Sequence, residues 1–598
     1  MDAHANYKAW LENEYFDDEE LRKELESIRD NREEIEDRFY KELEFGTAGL
    51  RGIIGAGTNR MNKYIIRKVS QGVSDYINHK FKRDKNDISR DGTGALREIP
   101  RMIIAYDSRH KSRDFALEAA KVFAGNGIIT YIFSELQPVP VLSFAIRHLG
   151  ATGGVAITAS HNPKNYNGYK VYGEDGAQLM PEESDKVLEF IKRIKDFYQV
   201  KMMQIDKAME EGLVETIGKE IEDAYVDVVK SYCINIDLAR EKGKEIRIVY
   251  TPLNGSGNKL VRRMLDETGF KNVMAVKEQE YPDPDFPTVK YPNPEDKSAF
   301  TLALELAKKE DADLIIATDP DSDRIGIMVR SKKGDYVFLT GNQAGCLMLD
   351  YVLGQKKEKE GALPENGFIV TTVVSTGLSK LIAEKYEIEV EEVFTGFKYI
   401  GEKIRMLDDP GYKKYLFGFE ESYGYLAGTY ARDKDAISAS MLVAEMAAYY
   451  KSMDMTLLDA LEKIYEKYGY VAEEVVSYTY SGKEGMEKMK AIMRGLRENK
   501  SMSIGDYDVI SISDYLTGKK YFLETGKTEG LALSSSDVIR FELQHKLEAG
   551  KRGWFCVRPS GTEPKIKVYM EVYGDSLKEA RKELDVLKRG ILDNVLII

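Results

Sequence analysis

Cysteine is nearly absent from this chain: three stand among 598 residues, at 233, 346 and 556. They lie far apart and without metal-ligand spacing, which excludes a disulfide scaffold, and their scarcity suits a reducing compartment. No apolar run approaches the 18 residues of a membrane span, and the N-terminus is highly charged, unlike a signal peptide. A soluble cytoplasmic protein with no membrane partner is expected. No complete Walker loop and no G-x-G-x-x-G fingerprint occurs, so a nucleotide site lacks its usual evidence. An excess of positive charge is missing too: 87 Lys and Arg face 100 Asp and Glu, for a net charge of −13. That balance disfavours nucleic-acid binding and requires any attraction for anionic small molecules to be local. The acidic runs Glu14 to Glu20 and Glu391-Glu392 are expected to be solvated faces.

What is present is enough for several cores. A length of 598 residues with 43% hydrophobic content allows about four domains at roughly 150 residues each. Arg101-Met-Ile-Ile-Ala-Tyr106, Ile246-Arg-Ile-Val-Tyr-Thr251 and Phe368-Ile-Val-Thr-Thr-Val373 each read as a strand followed by a polar loop, a helix and a further strand. Phe115, Ala119, Val122 and Phe123 carry the helical period in the first unit before Gly125 and Gly127. Leu260, Val261, Met264 and Leu265 do so before Gly269 in the second, and Leu378, Leu381 and Ile382 in the third. The expected fold is α/β, with three similar units whose loops sit at strand ends and a different C-terminal part built from short strands such as Gly553–Arg558 and Ile566–Met570. Boundaries are expected to give 1–217, 218–337, 338–470 and 471–598.

Four loops carry chemistry. In Thr158-Ala-Ser160-His161-Asn162-Pro163, which follows an apolar run, Ser160 reads as a nucleophile or as part of a polar turn. The Gly-x-Ser-x-Gly elbow of an α/β-hydrolase is absent, because Thr158 and Asn162 stand where its glycines belong. Phosphoryl transfer is the other serine chemistry, and it needs a cation and arginines elsewhere. Leu314-Ile-Ile-Ala-Thr-Asp319-Pro320-Asp321-Ser-Asp323-Arg324 offers three carboxylates at alternate positions behind an apolar strand, with Pro320 opposing a helix. Such oxygens suit a hard cation of octahedral preference, Mg2+. An EF-hand fails here: the sixth position is Arg324, not glycine, and the twelfth is Arg330, not glutamate. Arg558-Pro-Ser560-Gly561-Thr562-Glu563-Pro-Lys565 reads as a phosphate cradle or as a hydroxyl-capped turn. Gly418-Phe-Glu420-Glu421-Ser422-Tyr423-Gly424-Tyr425 sets carboxylates and a hydroxyl among aromatics, as a hydroxyl-rich ligand requires, though alone the signal is weak.

Together, and in this order, the four loops resemble those of the α-D-phosphohexomutase superfamily. Phe45-Gly-Thr-Ala-Gly-Leu-Arg51-Gly52, Thr395-Gly396-Phe-Lys398 and Arg432-Asp-Lys434-Asp extend the resemblance over nearly the whole chain. The Phe-Glu-Glu-Ser-Tyr-Gly loop and the length are similar to the large phosphoglucomutase branch, which includes phosphopentomutases. The resemblance implies three α/β domains with mixed sheets and a distinct α+β C-terminal domain around a central cleft. It implies interconversion of α-D-glucose 1-phosphate and glucose 6-phosphate through phosphoserine at Ser160 and a glucose 1,6-bisphosphate intermediate. Asp319, Asp321 and Asp323, with the Ser160 phosphate, would hold one Mg2+. Arg51 and Arg324 would steady that phosphate, and Lys170 and His161 would serve acid–base and pocket roles. Glu420 and Ser422, with Thr395, Gly396 and Lys398, would contact the sugar. Lys434, Arg558, Ser560, Gly561, Thr562 and Lys565 would grip the phosphate that is not reacting. Some members place a histidine just after the sugar-loop serine; here Tyr423 stands there, which leaves Lys170, His161 or a water as the second acid–base group. Mannose or pentose phosphates are the alternative substrates. The rival from another class is a metal phosphatase using Asp319 as nucleophile, and a third reading is a phosphosugar-binding protein without turnover.

Overall fold

Short apolar runs that end in polar loops become strands, and the loops gather at strand ends. A computed structural model of the chain describes residues 2–46, 49–88, 99–480, 482–499, 503–533, 535–548, 550–559 and 565–595. The chain forms two compact units, one of residues 1–368 and 397–457, the other of 369–396 and 458–598.

In the first unit a six-stranded mixed sheet runs in the order Leu50–Ile53, Tyr166–Gly173, Gly153–Ile157, Arg101–Tyr106, Ile129–Phe133, Val214–Ile217. The last four are parallel, and the first two are antiparallel additions. The parallel strands Gly153–Ile157 and Arg101–Tyr106 are buried along almost their whole length, as helices on both faces require. The expected helix after Tyr106 is Ser112–Gly125. A second mixed sheet follows the same plan, in the order Tyr336–Phe338, Ile325–Arg330, Leu314–Thr318, Arg247–Thr251, Asn272–Ala275. Its helix Asn258–Thr268 stops at Gly269, whose φ of 111° is a left-handed conformation that a side chain would resist. Of the third repeat in the sequence, the helix Phe397–Leu407 and the hairpin Lys414–Glu420 with Gly424–Leu426 belong to the first unit, the helix Leu378–Lys385 and the strand Glu389–Val393 belong to the second, and the chain passes from one to the other within the strand Gly367–Thr372. The similar α/β units expected from the repeat are therefore present.

The three N-terminal helices, Ala3–Glu12, Glu19–Ser27 and Arg32–Phe39, look like a charged surface in sequence but carry a buried seam. Trp10 packs against Phe16, Phe39, Tyr64 and Phe197 with ring centroids 5.4 to 5.8 Å apart. Aromatic burial of this size outweighs the solvation of the charges around it, because the charged heads stay on the outer face. The helices also brace the turn after Arg51: Glu24 accepts the Ala56 N–H at 3.1 Å, and Arg38 pairs with Glu24 while donating to the Ala56 carbonyl.

The second unit contains an antiparallel sheet in the order Tyr470–Thr479, Lys565–Gly574, Arg552–Pro559, Ile539–His545, Tyr507–Asp514, Lys519–Phe522, Thr528–Gly530, with Ser503–Ile504 beside Tyr507–Asp514. Helices Gly482–Glu498 and Leu577–Val595 contribute Ile492, Leu496, Leu587 and Ile591 to its core. This is the distinct α+β part expected. Among the described residues no helix is long and apolar enough to cross a membrane.

Candidate active site

Each functional loop is held by interactions that its own sequence supplies. Thr158 Oγ1 accepts the Ser160 N–H at 2.8 Å and donates to Asp321 Oδ2 at 3.2 Å, so the turn that presents Ser160 is tied to the aspartate loop. Ser160 adopts φ 51°, a left-handed conformation uncommon for a residue with a side chain. The aspartate loop begins where the strand Leu314–Thr318 ends. Asp319 Oδ1 accepts the N–H groups of Asp323 at 3.1 Å and Arg324 at 3.0 Å, and Ser322 takes φ 53°. The Pro320 carbonyl accepts from both N–H and Oγ of Ser256 at 2.8 Å.

The result is a dense cluster. Ser160 Oγ donates to Asp319 Oδ2 at 2.7 Å and lies 3.1 Å from His161 Nδ1. Lys170 Nζ, from the strand Tyr166–Gly173, reaches Asp321 Oδ2 at 2.9 Å and Asp323 Oδ2 at 3.4 Å. Lys434 Nζ reaches Asp323 Oδ2 at 2.9 Å and lies 4.0 Å from Glu420. Gly424 is needed there, since a Cβ at that position would stand 2.4 Å from the Lys434 side chain. Asp435 fixes the approach of Lys434: its Oδ1 caps the helix Ala436–Lys451, and its Oδ2 accepts the hydroxyls of Tyr225 and Tyr430.

Burial and mutual charge set the protonation states. Burial, then Asp321 and Asp323, push Asp319 well above the usual carboxylate range. Burial works against ionisation of Asp321 as well, but Lys170 overrides it and holds that carboxyl low. Lys170 and Lys434 stay protonated, their desolvation outweighed by Asp321 and Asp323 for the first and by Asp323 and Asp433 for the second. Burial, with Arg324 and Arg51 nearby, keeps His161 neutral. Glu420 is raised by burial, against the pull of Lys434 and Arg324.

The three aspartates fit a divalent cation. Their oxygens lie within 4.8 Å of one another, and Oδ1 of both Asp321 and Asp323 is buried without a hydrogen-bond partner. Buried carboxylate oxygens left in that state are costly unless a cation takes them. Asp319, by contrast, has both oxygens engaged, by the Ser160 hydroxyl and two backbone N–H groups. That is poor preparation for a nucleophile and speaks against the phosphatase reading.

Of the other expected residues, Arg51 Nη1 donates to Asn162 Oδ1 at 2.9 Å beside the serine. Arg324 pairs with Glu295. Ser422 is half-buried in the turn between Glu420 and Gly424. Lys398 lines a cavity of about 310 Å3 with Tyr172, Asp175, Gln178 and Glu402, and burial pushes its amine down to about 8 against the pull of Glu402. Thr395, Gly396, Arg558 and Lys565 belong to the second unit. Arg558 and Lys565 stand on adjacent antiparallel strands, near the end of one and at the start of the next, with Arg558 opposite Lys567. Ser560, Gly561 and Thr562 lie outside the described residues.

Sequence reasoning missed Arg109. Its side chain is fully buried, 3.3 Å from Asp107. Its guanidinium donates to four carbonyls of the serine loop: Ser160, Asn162, Pro163 at 2.7 Å and Tyr166 at 3.2 Å. The ring of Phe286 lies beneath it at 5.0 Å. A planar fork with five donors can hold four acceptors at once, which an ammonium cannot. Arg109→Leu is expected to lose about 3–5 kcal/mol of stability, because Asp107 is left buried and unpaired. Arg109→Lys should fold but lose turnover with little change in KM; denaturant titration and steady-state kinetics check both, and a Lys variant with full kcat would contradict the assignment.

The chain matches four domain descriptions in order: phosphoglucomutase/phosphomannomutase alpha/beta/alpha domain I over residues 42–197, domain II over 223–333, domain III over 340–468, and the C-terminal domain over 535–587. It belongs to the phosphoglucomutase/phosphomannomutase family, within the α-D-phosphohexomutase superfamily. Similarity to curated relatives places it in the phosphoglucomutase branch. A phosphoglucomutase of Staphylococcus saprophyticus is 36% identical over 576 residues, covering 96% of this chain and 98% of that protein. One of Staphylococcus aureus is 36% identical over 556 residues, covering 93% and 94%. Among solved structures, the open form of the Paramecium phosphoprotein pp63/parafusin, a phosphoglucomutase, shares the fold with a TM-score of 0.66 at 16% identity, over 92% of this chain and 95% of that one. A phosphoglucomutase/phosphomannomutase family protein of Burkholderia thailandensis gives 0.61 at 16% identity, over 92% and 97%.

Proposed function

We propose that this protein is a phosphoglucomutase that interconverts α-D-glucose 1-phosphate and glucose 6-phosphate, with Ser160 as the carrier of the phosphoryl group. One observation carries the reading: the Ser160 hydroxyl is buried and hydrogen-bonded at 2.7 Å to a carboxylate cluster with two unpartnered oxygens. His161 Nδ1 also lies 3.1 Å from this hydroxyl, but the hydroxyl's shorter bond is to the carboxylate cluster, a site for a cation and an anion.

In the forward direction the phosphoryl group on Ser160 Oγ passes to the O6 hydroxyl of glucose 1-phosphate. The P–Oγ bond breaks, the P–O6 bond forms, the O6 proton leaves to a base, and Oγ regains a proton. Lys170, held protonated, is assigned to supply that proton, and neutral His161, 3.1 Å from Ser160 Oγ, to accept one. The resulting glucose 1,6-bisphosphate turns round and returns its other phosphate to Ser160. Asp319, Asp321 and Asp323 would hold Mg2+, which when bound supplies positive charge to the phosphate oxygens. Arg51 and Arg324 would neutralise phosphate, and Glu420 and Ser422 would accept and donate hydrogen bonds to sugar hydroxyls. The roles of Thr395, Gly396, Arg558, Ser560, Gly561, Thr562 and Lys565 are carried over from the family resemblance. The sugar contact of Lys398 is likewise carried over from the family resemblance.

Glucose 1-phosphate, mannose 1-phosphate and ribose 1-phosphate, each given with Mg2+ and a trace of the corresponding bisphosphate, test the substrate. The expected result is the highest kcat/KM for glucose 1-phosphate; a glucose rate well below either of the others overturns the preference while leaving the mutase chemistry standing.

A further inference from the structure

The segment 281–296 is rich in proline, from Tyr281-Pro-Asp-Pro-Asp285-Phe286-Pro to Tyr291-Pro-Asn-Pro-Glu295-Asp, and forms neither strand nor helix. It meets the serine site at three points. Asp285 lies 3.1 Å from Lys164 and 3.3 Å from His110. Phe286, buried with φ 43°, lies under the Arg109 guanidinium. Glu295 pairs with Arg324. The first two contacts brace the loop that carries Ser160. The third occupies a group assigned above to phosphate.

The geometry around Arg324 shows which anion holds it. Arg324 Nη1 donates to Glu295, whereas Nε stands 3.9 Å from Asp323 Oδ1, too far for a hydrogen bond, and has no hydrogen-bond partner although buried. Asp319 Oδ1 is already taken by backbone N–H groups, that of Arg324 included. The guanidinium is thus drawn off the aspartate cluster by a carboxylate that reaches it from 29 residues away. Both side chains are partly buried, at 17% and 29% exposure, so the pair is neither fully screened nor locked in the core. A phosphoryl group with roughly −1.5 to −2 charge and three acceptor oxygens matches the guanidinium fork better than one carboxylate does.

We propose that Glu295 is a positioning residue that acts as the exchangeable counter-ion of Arg324. It holds the guanidinium while no phosphoryl group is at Ser160 and yields it when one arrives. Each arriving phosphate must displace Glu295, so phosphate binds less tightly than the cationic site alone would allow, and release of the phosphosugar is faster. The inference rests on Arg324 being a phosphate contact.

The test is isothermal titration of inorganic phosphate into the Mg2+-supplied full chain carrying Ser160→Ala, which excludes phosphoserine. Glu295→Gln in that background is expected to bind phosphate about tenfold more tightly, as for removal of a competitor worth about 1.4 kcal/mol. In the enzyme with Ser160 intact, the same substitution should lower KM without raising kcat. Glu295→Asp keeps the charge and should return phosphate affinity toward the parent value, which also serves if the Gln variant folds poorly. With Arg324→Ala present, Glu295→Gln should have no effect on phosphate. Unchanged or weaker binding in Glu295→Gln, an Asp variant as tight as the Gln variant, or an undiminished shift without Arg324 would each overturn the exchange. If Arg324→Ala alone leaves phosphate binding unchanged, it is the phosphate role of Arg324 that fails, and the exchange falls with it.

Discussion

Ser160→Ala is expected to lower kcat/KM by at least about 10^4-fold, the scale on which loss of a nucleophile acts. The purified variant should also lack the mass of one phosphate. Its fold should be little changed, because Ser160 is small and the left-handed turn it occupies is held by Thr158 Oγ1 and the Arg109 guanidinium rather than by its own hydroxyl. Ser160 Oγ makes its strong hydrogen bond to Asp319, and Asp319 keeps the backbone N–H groups of Asp323 and Arg324 when that bond is removed. The loss is therefore chemical rather than structural, and circular dichroism with a melting curve separates the two. Asp319→Ala is the discriminating companion. With labelled bisphosphate, Asp319→Ala should still retain label on Ser160, more slowly, while Ser160→Ala retains none. Label that survives in Ser160→Ala and vanishes in Asp319→Ala would make Asp319 the nucleophile and sink the mutase mechanism.

The parts of this site that were legible in sequence are those whose chemistry is contiguous. Asp319, Asp321 and Asp323 stand in five residues behind a β-branched strand, and the loop folds them together by local hydrogen bonds, so spacing alone carried the metal reading. Lys170 and Lys434 were legible only through resemblance, since a lone lysine in a strand or loop has no signature; their proximity to Asp323 depends on tertiary packing. Arg109 and Glu295 were not legible at all. Arg109 binds carbonyl oxygens, which every residue has, so nothing in the serine loop marks its partner. Glu295 reads as one more acid in a chain with 100 Asp and Glu. The fold shows the same division. The period of each helix and the repeated strand–loop–helix unit predicted the α/β architecture, because burial of an apolar face is a local pattern. The grouping of residues 369–396 with the C-terminal part was not visible in that pattern. Contacts distant in sequence carry it, among them the buried Glu571 carboxylate, which accepts the Gly377 N–H at 3.0 Å from 194 residues away and the Trp554 indole N–H at 2.9 Å.

Removal of divalent cations is the second expected large effect. A chelated preparation should lose at least about 10^3-fold in turnover, in keeping with several kcal/mol of transition-state charge stabilisation, and recover it on addition of Mg2+. The reason lies in the convergence of the carboxylates. Three of them approach within 4.8 Å, Lys170 and Lys434 pair with Asp321 and Asp323 through Oδ2, and Oδ1 of each of those two is left buried without a hydrogen-bond partner. A ligand that binds the folded chain and not the unfolded one raises stability by about 2.7 kcal/mol at a hundred times its dissociation constant. The melting temperature of the chelated protein should therefore rise with Mg2+ even without substrate, a readout independent of catalysis. Asp321→Asn should remove most of that rise, since it removes the negative charge and one oxygen of a carboxylate whose Oδ1 is buried without a partner and whose Oδ2 is the main partner of Lys170. A chelated protein that turns over at the full rate, or one whose melting temperature ignores Mg2+, would show that the aspartate cluster needs no cation.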